Sequence, residues 1–323
     1  MKTKRPIIIS TILLIVLAGL CFNIDSALAK EKNIVIAGSH VKGTWYRFSG
    51  GVAAMVDKYI PGYKATAQPS PGSIQNIRNL KENHIDLGMI IPPMAFNAYK
   101  GEPPFDKDPY PNLRALFNTY SFPMHIIVKE NSPVKSLADI KGLRIGTGPT
   151  GGGAYLIVEL ILNEFGLTYK DVRPYYYSVS ENTRALADGN IDVTFALTGT
   201  MSAAISQLMT MHKVRYVPIS MEKLTSLNKK YSYLAPGYVK AGTYKKVKKD
   251  VPAVILWGVM CVDANIDEEL AYNITKTVFE HKPEIVKILK LAEEMTPETA
   301  SKNLPVPLHP GAERYYREIK VLK

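Results

Sequence analysis

Two glycine-rich loops hold the residues best suited to ligand chemistry. One is Gly38-Ser39-His40-Val41-Lys42-Gly43-Thr44-Trp45-Tyr46, and the other is Gly146-Thr147-Gly148-Pro149-Thr150-Gly151-Gly152-Gly153. Glycine lets a backbone turn sharply and approach a ligand closely. A helix starting in such a loop offers unpaired N–H groups and a partial positive charge, which together suit an anion. Arg47 either clamps a carboxylate bidentately or lies on the polar face of the first helix. Trp45 and Tyr46 are candidates to wall a pocket. The second loop also reads as G-x-G-x-x-G between a strand and a helix, the setting of a dinucleotide site. The strand after it, Val172–Ser178, lacks the terminal acid that would hold a ribose.

Other chemistries have less support. The six histidines, His40, His84, His125, His212, His281 and His309, show no metal-ligand spacing. There is no Gly-x-Ser-x-Gly elbow. Cys261 sits in an apolar run and reads as a small buried hydrophobe. The expectation is a chain without catalysis, metal or cofactor. The net charge of +11 gathers partly at Lys223, Lys229, Lys230, Lys240, Lys245, Lys246, Lys248 and Lys249 and reads as a solvated face. No nucleic-acid motif accompanies it.

The elements around these loops alternate. The run Asn33–Ala37 is a strand, and Trp45, Phe48, Val52, Met55, Val56 and Tyr59 space a helix. Tyr63–Pro69 is a strand, and Ser73 is a helix N-cap with Ile74, Ile77 and Leu80 buried. Ile85–Ile91 is a strand stopped by Pro92-Pro93, Met94–Tyr99 a helix ended by Gly101, and Arg114–Tyr120 and Met124–Lys129 are strands. The second half repeats the plan: Leu143–Ile145, the Gly loop, a helix with Ile157, Val158, Ile161, Leu162 and Phe165, then Val172–Ser178, helix Glu181–Asp188, strand Ile191–Ala196 and the turn Leu197–Thr200. Asn76, Arg78, Leu80, Ile85 and Asp86 recur as Asn182, Arg184, Leu186, Ile191 and Asp192 at an offset of 106, the mark of a duplicated plan. Such alternation implies an α/β fold with mainly parallel sheets. Ligands then sit at the carboxyl ends of strands, where Gly38–Thr44, Gly72–Asn76, Gly146–Gly153 and Thr198–Thr200 all lie.

At the N-terminus, Lys2, Lys4 and Arg5 precede the apolar run Ile7–Leu20, and Ala27-Leu28-Ala29 fits a cleavage site. This is a secretory signal peptide pattern, cut near Ala29. Cys21 follows Leu20 rather than a small residue, which argues against a lipid anchor. The expected layout is 1–29 signal peptide, 30–124 first part of lobe I, 125–254 lobe II, and 255–323 the return to lobe I with C-terminal helices.

Taken in order, Gly43-Thr44-Trp45-Tyr46, Gly72-Ser73 with Asn76, Asp86-Leu87-Gly88, Leu137–Arg144, Ala187–Asp192 and His309–Tyr316 make the chain resemble the TAXI solute-binding proteins of TRAP transporters. The resemblance implies a two-lobed type II periplasmic-binding-protein fold with a hinge between lobes. It implies a periplasmic or extracytoplasmic monomer that carries a small organic anion to TRAP permease subunits. Family ligands are small carboxylates such as glutamate or dicarboxylates. By position it implies ligand contacts from Ser39, Thr44, Trp45, Ser73, Asn76, Thr150, Gly151, Gly152, Gly153 and Gly199. Two departures stand out: Gly151-Gly152-Gly153-Ala154 replaces the family's Gly-Ser-Gly-Thr, and Arg47 replaces a frequent proline. Thr147 or Thr150 is placed to replace the lost hydroxyls. The alternatives are a nucleotide-binding enzyme using Gly146–Gly151 and a ligand-sensing lobe of a signalling system.

Overall fold

The computed structural model describes residues 31–323 except 40, 42, 151 and 201. The signal-peptide and Cys21 expectations therefore lie outside the described residues. In chain order the first half runs β1 (Lys32–Ala37), α1 (Thr44–Tyr59), β2 (Tyr63–Gln68), α2 (Ser73–Lys81), β3 (Leu87–Ile90), α3 (Pro92–Lys100) and β4 (Leu113–Lys129). The second half runs β5 (Arg144–Thr147), α4 (Gly153–Glu164), β6 (Arg173–Tyr176), α5 (Val179–Asp188), β7 (Val193–Leu197), α6 (Ala203–Met211), β8 (Val214–Tyr216), α7 (Met221–Lys230) and β9 (Ala235–Val239). The chain returns through β10 (Val251–Asp263), α8 (Glu268–Glu280), α9 (Lys282–Ile288), α10 (Pro297–Ala300) and α11 (Pro310–Glu318).

The strands form one path, β2-β1-β3-β10-β4-β7-β5-β6, with β8 on β4 and β9 on β10. Parallel pairs lie at both flanks, β1 with β2 and β3, and β5 with β6 and β7. The antiparallel pair β4 and β10 joins them in the middle, in register from Ile255↔Pro123 to Asp263↔Leu113 with shifts near Gly258. Those bulges bend and twist the ribbon, so the carboxyl ends of β1 and β3 face those of β5 and β7. This is a two-lobed α/β fold of the type II periplasmic-binding-protein kind.

Each lobe covers both faces of its sheet. In the first, α1, α8 and α11 bury Phe48, Met55 and Tyr316 against Phe117 and Tyr120, while α2 and α3 bury Ile77, Leu80 and Met94 on the other face. In the second, α4 and α7 cover one face with Ile157, Leu162 and Leu224, and α5 and α6 cover the other with Leu186 and Ile205. Each large apolar side chain so buried contributes roughly 1.5–3 kcal/mol.

The duplicated plan is written in hydrogen bonds. Asp86 Oδ2 accepts from Val35 N at 2.7 Å, and Asp192 Oδ2 accepts from Arg144 N at 2.9 Å. Asn76 Nδ2 donates to the carbonyls of Gly38 and Met89 at 2.9 and 2.8 Å. Asn182 Nδ2 donates to those of Thr147 and Phe195 at 2.9 and 3.3 Å. Each asparagine thus ties together the ends of two neighbouring strands, from beneath the loops that follow them.

Three expectations need correction. The N-cap of α2 is Gly72, with φ 126°, and not Ser73; Ser73 Oγ instead accepts from Ile91 N at 2.9 Å. Pro92 and Pro93 open α3 rather than only stopping a strand, since proline costs nothing at a helix's first positions. The runs Arg114–Tyr120 and Met124–Lys129 are one strand, because Pro123 sits on a two-strand ribbon where its missing N–H is tolerated.

Candidate functional site

Five helices begin directly after the inner ends of strands: α1 at Gly43, α2 at Gly72, α3 at Ile91, α4 at Gly152 and α6 at Ser202. None has a side-chain cap and none has an acid in its first turn. The other helices are treated differently, α5 among them although it too starts at the inner end of a strand, β6. Ser178, Ser220, Asp267, Thr296 and His309 cap α5, α7, α8, α10 and α11, and each of these carries a glutamate in its first turn. Uncapped starts leave up to four backbone donors each and a positive field. The starts of α1, α2, α4 and α6 therefore leave free N–H groups at the inner edge, whereas α3 opens on Pro92 and Pro93, which have none, and Met94 N donates to the Ile91 carbonyl.

The first loop is held from its neighbours. Ser70 N donates to the Ser39 carbonyl at 3.1 Å, and Ser70 Oγ to the Gly38 carbonyl at 3.1 Å. Thr44, exposed at the start of α1, accepts through Oγ1 from the Tyr120 hydroxyl at 2.6 Å. Burial raises the Tyr120 phenol well above its ordinary range, so it stays a donor. Trp45 packs edge-on to Phe122, with centroids 6.0 Å apart, and its six-membered ring lies 3.2 Å from where a Cβ on Gly258 would be. Its indole Nε1 is buried and has no acceptor among the described residues. Orphaned buried donors are rare, and this one belongs to a residue expected on the ligand wall.

The expected residues divide by what they already do. Asn76 is wholly buried and holds two strand ends, so it positions the first loop from below. Thr147 is likewise buried, its hydroxyl turned onto the Gly148 carbonyl at 3.1 Å. Ser73 Oγ is engaged by Ile91. The Arg47 guanidinium donates to the Ile288 carbonyl at the end of α9, so one arm of its fork is in use. Thr150 is exposed, and Gly152 and Gly153 are half-buried at the start of α4. Gly151 lies outside the described residues. Gly153 approaches Ile91 of the other lobe so closely that a Cβ there would meet Ile91 Cδ1 at 2.4 Å. Gly199, after β7, stands 3.4 Å from Leu291 by the same measure. Tyr120, Phe122 and Ile91 complete the surroundings. The sequence hid them because Ile91 lies just past the end of β3, and Phe122 lies mid-β4 beside Pro123, in the gap between the two runs read as separate strands.

The glycines of the second loop have packing reasons of their own. A Cβ on Gly146 would fall 2.0 Å from Asn182 Oδ1, and one on Gly148 would fall 2.6 Å from the Ala154 Cβ. Both serve close packing against the helices and need no pyrophosphate to explain them. Among the described residues no group of three or more His, Cys, Asp or Glu is placed to hold a metal ion. No helix of the described residues is long and apolar enough to cross a membrane.

Comparison with known proteins bears on the whole frame. The chain is 28% identical over 161 residues to a putative aliphatic sulfonates-binding protein of Escherichia coli, an alignment that spans 47% of this chain and about half, 46%, of that protein. Its fold resembles that of a TctC solute-binding protein from Polaromonas, with TM-score 0.56 and 13% identity over 91% of this chain and 99% of the other. It also resembles PhnD1 from Prochlorococcus marinus, crystallised with methylphosphonate, with TM-score 0.55 and 10% identity over 91% of this chain and 100% of the other. At such identities the likeness is one of fold. The model of the NMT1-like family matches residues 36–319. The chain belongs to the NMT1-like family.

Proposed function

We propose that this chain is an extracytoplasmic solute-binding protein that closes its two lobes on a small organic anion and presents it to a membrane transporter. The observation that carries this reading is the set of four uncapped, acid-free helix starts with free backbone N–H groups at inner strand ends, those of α1, α2, α4 and α6. Backbone donors so gathered recognise an oxyanion head group. Relatives support that class, since their names speak of sulfonates and methylphosphonate. Carboxylates and a TRAP-type permease, the finer reading suggested by resemblance to the TAXI proteins, belong to the same chemistry. The lobes divide near 124 and 254, where β4 and β10 cross. Ser39, Thr44, Trp45, Thr150, Gly152, Gly153 and Gly199 contact the ligand, while Asn76 and Thr147 shape the loops. Ligand binding favours the closed state because only that state offers contacts from both lobes.

The test is a thermal-shift and calorimetry screen of the exported chain with dicarboxylates, acidic amino acids, alkanesulfonates and alkylphosphonates. A ligand at 100 times its dissociation constant adds about 2.7 kcal/mol. A hit in one class, weakened by Trp45→Phe, supports the proposal and names the head group. If none of these anions moves the midpoint, the proposal fails.

A further inference from the structure

The β4–β10 ribbon has a second face. Side chains alternate along a strand, and the pairs Ile255↔Pro123, Leu256↔Phe122 and Trp257↔Ser121 fix which residues share a side. Phe122 turns toward Trp45. Ser121, Pro123, Ile255 and Trp257 turn the other way, into a cavity of about 390 Å³. Such a volume suits a small organic molecule. The 294–299 segment of the first lobe and Thr200 with Tyr238–Lys240 of the second lobe close it.

Two features of this cavity are unexplained by folding alone. His125 lines it and is wholly buried; among the described residues its Nε2 makes no well-aligned hydrogen bond, although the Thr198 backbone is within reach of the ring, and Nδ1 lies 2.8 Å from the Tyr216 hydroxyl. Glu294, half-buried, accepts from Ser121 N at 3.0 Å and from its hydroxyl. Among the described residues it has no cationic partner. The nearby cation, Lys240, is already paired with Asp250 at 2.8 Å. Burial holds the His125 pKa down to about 4, so the imidazole adds no charge at neutral pH. The cavity therefore carries one uncompensated negative charge beside the indole of Trp257, with Pro123, Ile255 and Val239 as apolar walls.

We infer that this cavity is a second ligand site, on the reverse of the hinge ribbon, for a small organic ammonium ion with an apolar body. The ammonium faces the Glu294 carboxylate, and one of its N–H groups reaches His125 Nε2. That contact selects the tautomer in which Nδ1 donates to Tyr216. The apolar body lies against the Trp257 ring. The site adjoins the anion site at the turn after β7, where Gly199 is counted with the anion contacts and Thr200 lines this cavity.

The chain has two tryptophans, so Trp45→Phe leaves Trp257 as its sole indole reporter. This variant is titrated with cyclohexylmethylammonium and, in parallel, with uncharged cyclohexylmethanol. The expected result is a saturable change in Trp257 emission with the ammonium alone. In a Glu294→Gln background the midpoint should rise at least about tenfold, or 1.4 kcal/mol. Because Glu294→Gln also disturbs the Ser121 contact, a second background, Thr243→Phe, fills the cavity and leaves that contact in place. It should abolish the change with its unfolding midpoint retained. The inference is overturned if the ammonium and the alcohol titrate alike, if the ammonium acts without saturation as it does on free N-acetyltryptophanamide, or if neither substitution alters the midpoint.

Discussion

Replacing Asn76 by alanine tests how the inner loops are held. The side chain is fully buried, and its Nδ2 donates twice, at 2.9 and 2.8 Å, to carbonyls at the ends of β1 and β3. Two neutral bonds contribute together about 1–3 kcal/mol net. Gly38 keeps a second donor in Ser70 Oγ, which limits the cost of the lost partner. Oδ1 has no partner among the described residues, so its removal costs nothing in hydrogen bonding there. The cavity left behind adds to the total, and Asn76→Ala should lose about 2–4 kcal/mol. The duplicate residue provides the internal control. Asn182 makes longer bonds, at 2.9, 3.3 and 3.5 Å, so Asn182→Ala should cost less. Asn76→Asp should cost more than either at pH 7, because it sets a carboxylate against two carbonyl oxygens. Urea unfolding followed by circular dichroism measures all three. A loss under about 1 kcal/mol for Asn76→Ala, smaller than one hydrogen bond, or a reversed order of the two alanines, would refute the reasoning.

Other consequences can be measured alongside. Gly153→Val places its Cβ against Ile91 across the cleft; overpacking of this kind costs about 1–3 kcal/mol, and it should appear as roughly 5–150-fold weaker ligand binding with the unfolding midpoint held, by calorimetry. Trp45→Phe removes a donor that no group among the described residues uses. It should leave the melting temperature within about 2 °C while raising the ligand's Kd about tenfold, the scale of one hydrogen bond. His125 is held neutral, its pKa lowered from 6.5 to about 4. The unfolded chain therefore binds the extra proton, so stability is full above pH 6.5 and falls as pH drops toward 4, by about 3 kcal/mol in all. His125→Leu should flatten that part of a stability-against-pH curve, and an unchanged slope would count against the assignment.

Much of this architecture was legible in residue order because the physics is local. A strand, a glycine loop and an amphipathic helix announce themselves by period, and the Asn76/Asn182 and Asp86/Asp192 offsets expose the duplication before any contact is known. The site was legible more coarsely. Which loops converge follows from strand order, but what each side chain does depends on partners distant in sequence. Asn76 and Thr147 turn inward to backbone carbonyls, and Arg47 finds Ile288, 241 residues away. The Ser73 cap was misjudged because a hydroxyl before an apolar run looks the same whether it caps its own helix or accepts from Ile91 on a neighbouring strand. The pairing of Ser121 with Glu294 leaves no local trace at all.

The course of β10 carries a consequence for biogenesis. The core around Phe48 and Tyr120 is completed only by Met260, Ile274 and Tyr316, residues from the far end of the chain. The second lobe draws its core from a nearly contiguous stretch, Met124 to Leu256. As the polypeptide emerges, the later lobe can consolidate first, whereas the earlier one waits with β1 and α1 exposed until the last helices arrive. A chain stopped before α8 would keep a folded second half and an unsatisfied first half. Such a product is a natural target for chaperones and proteases.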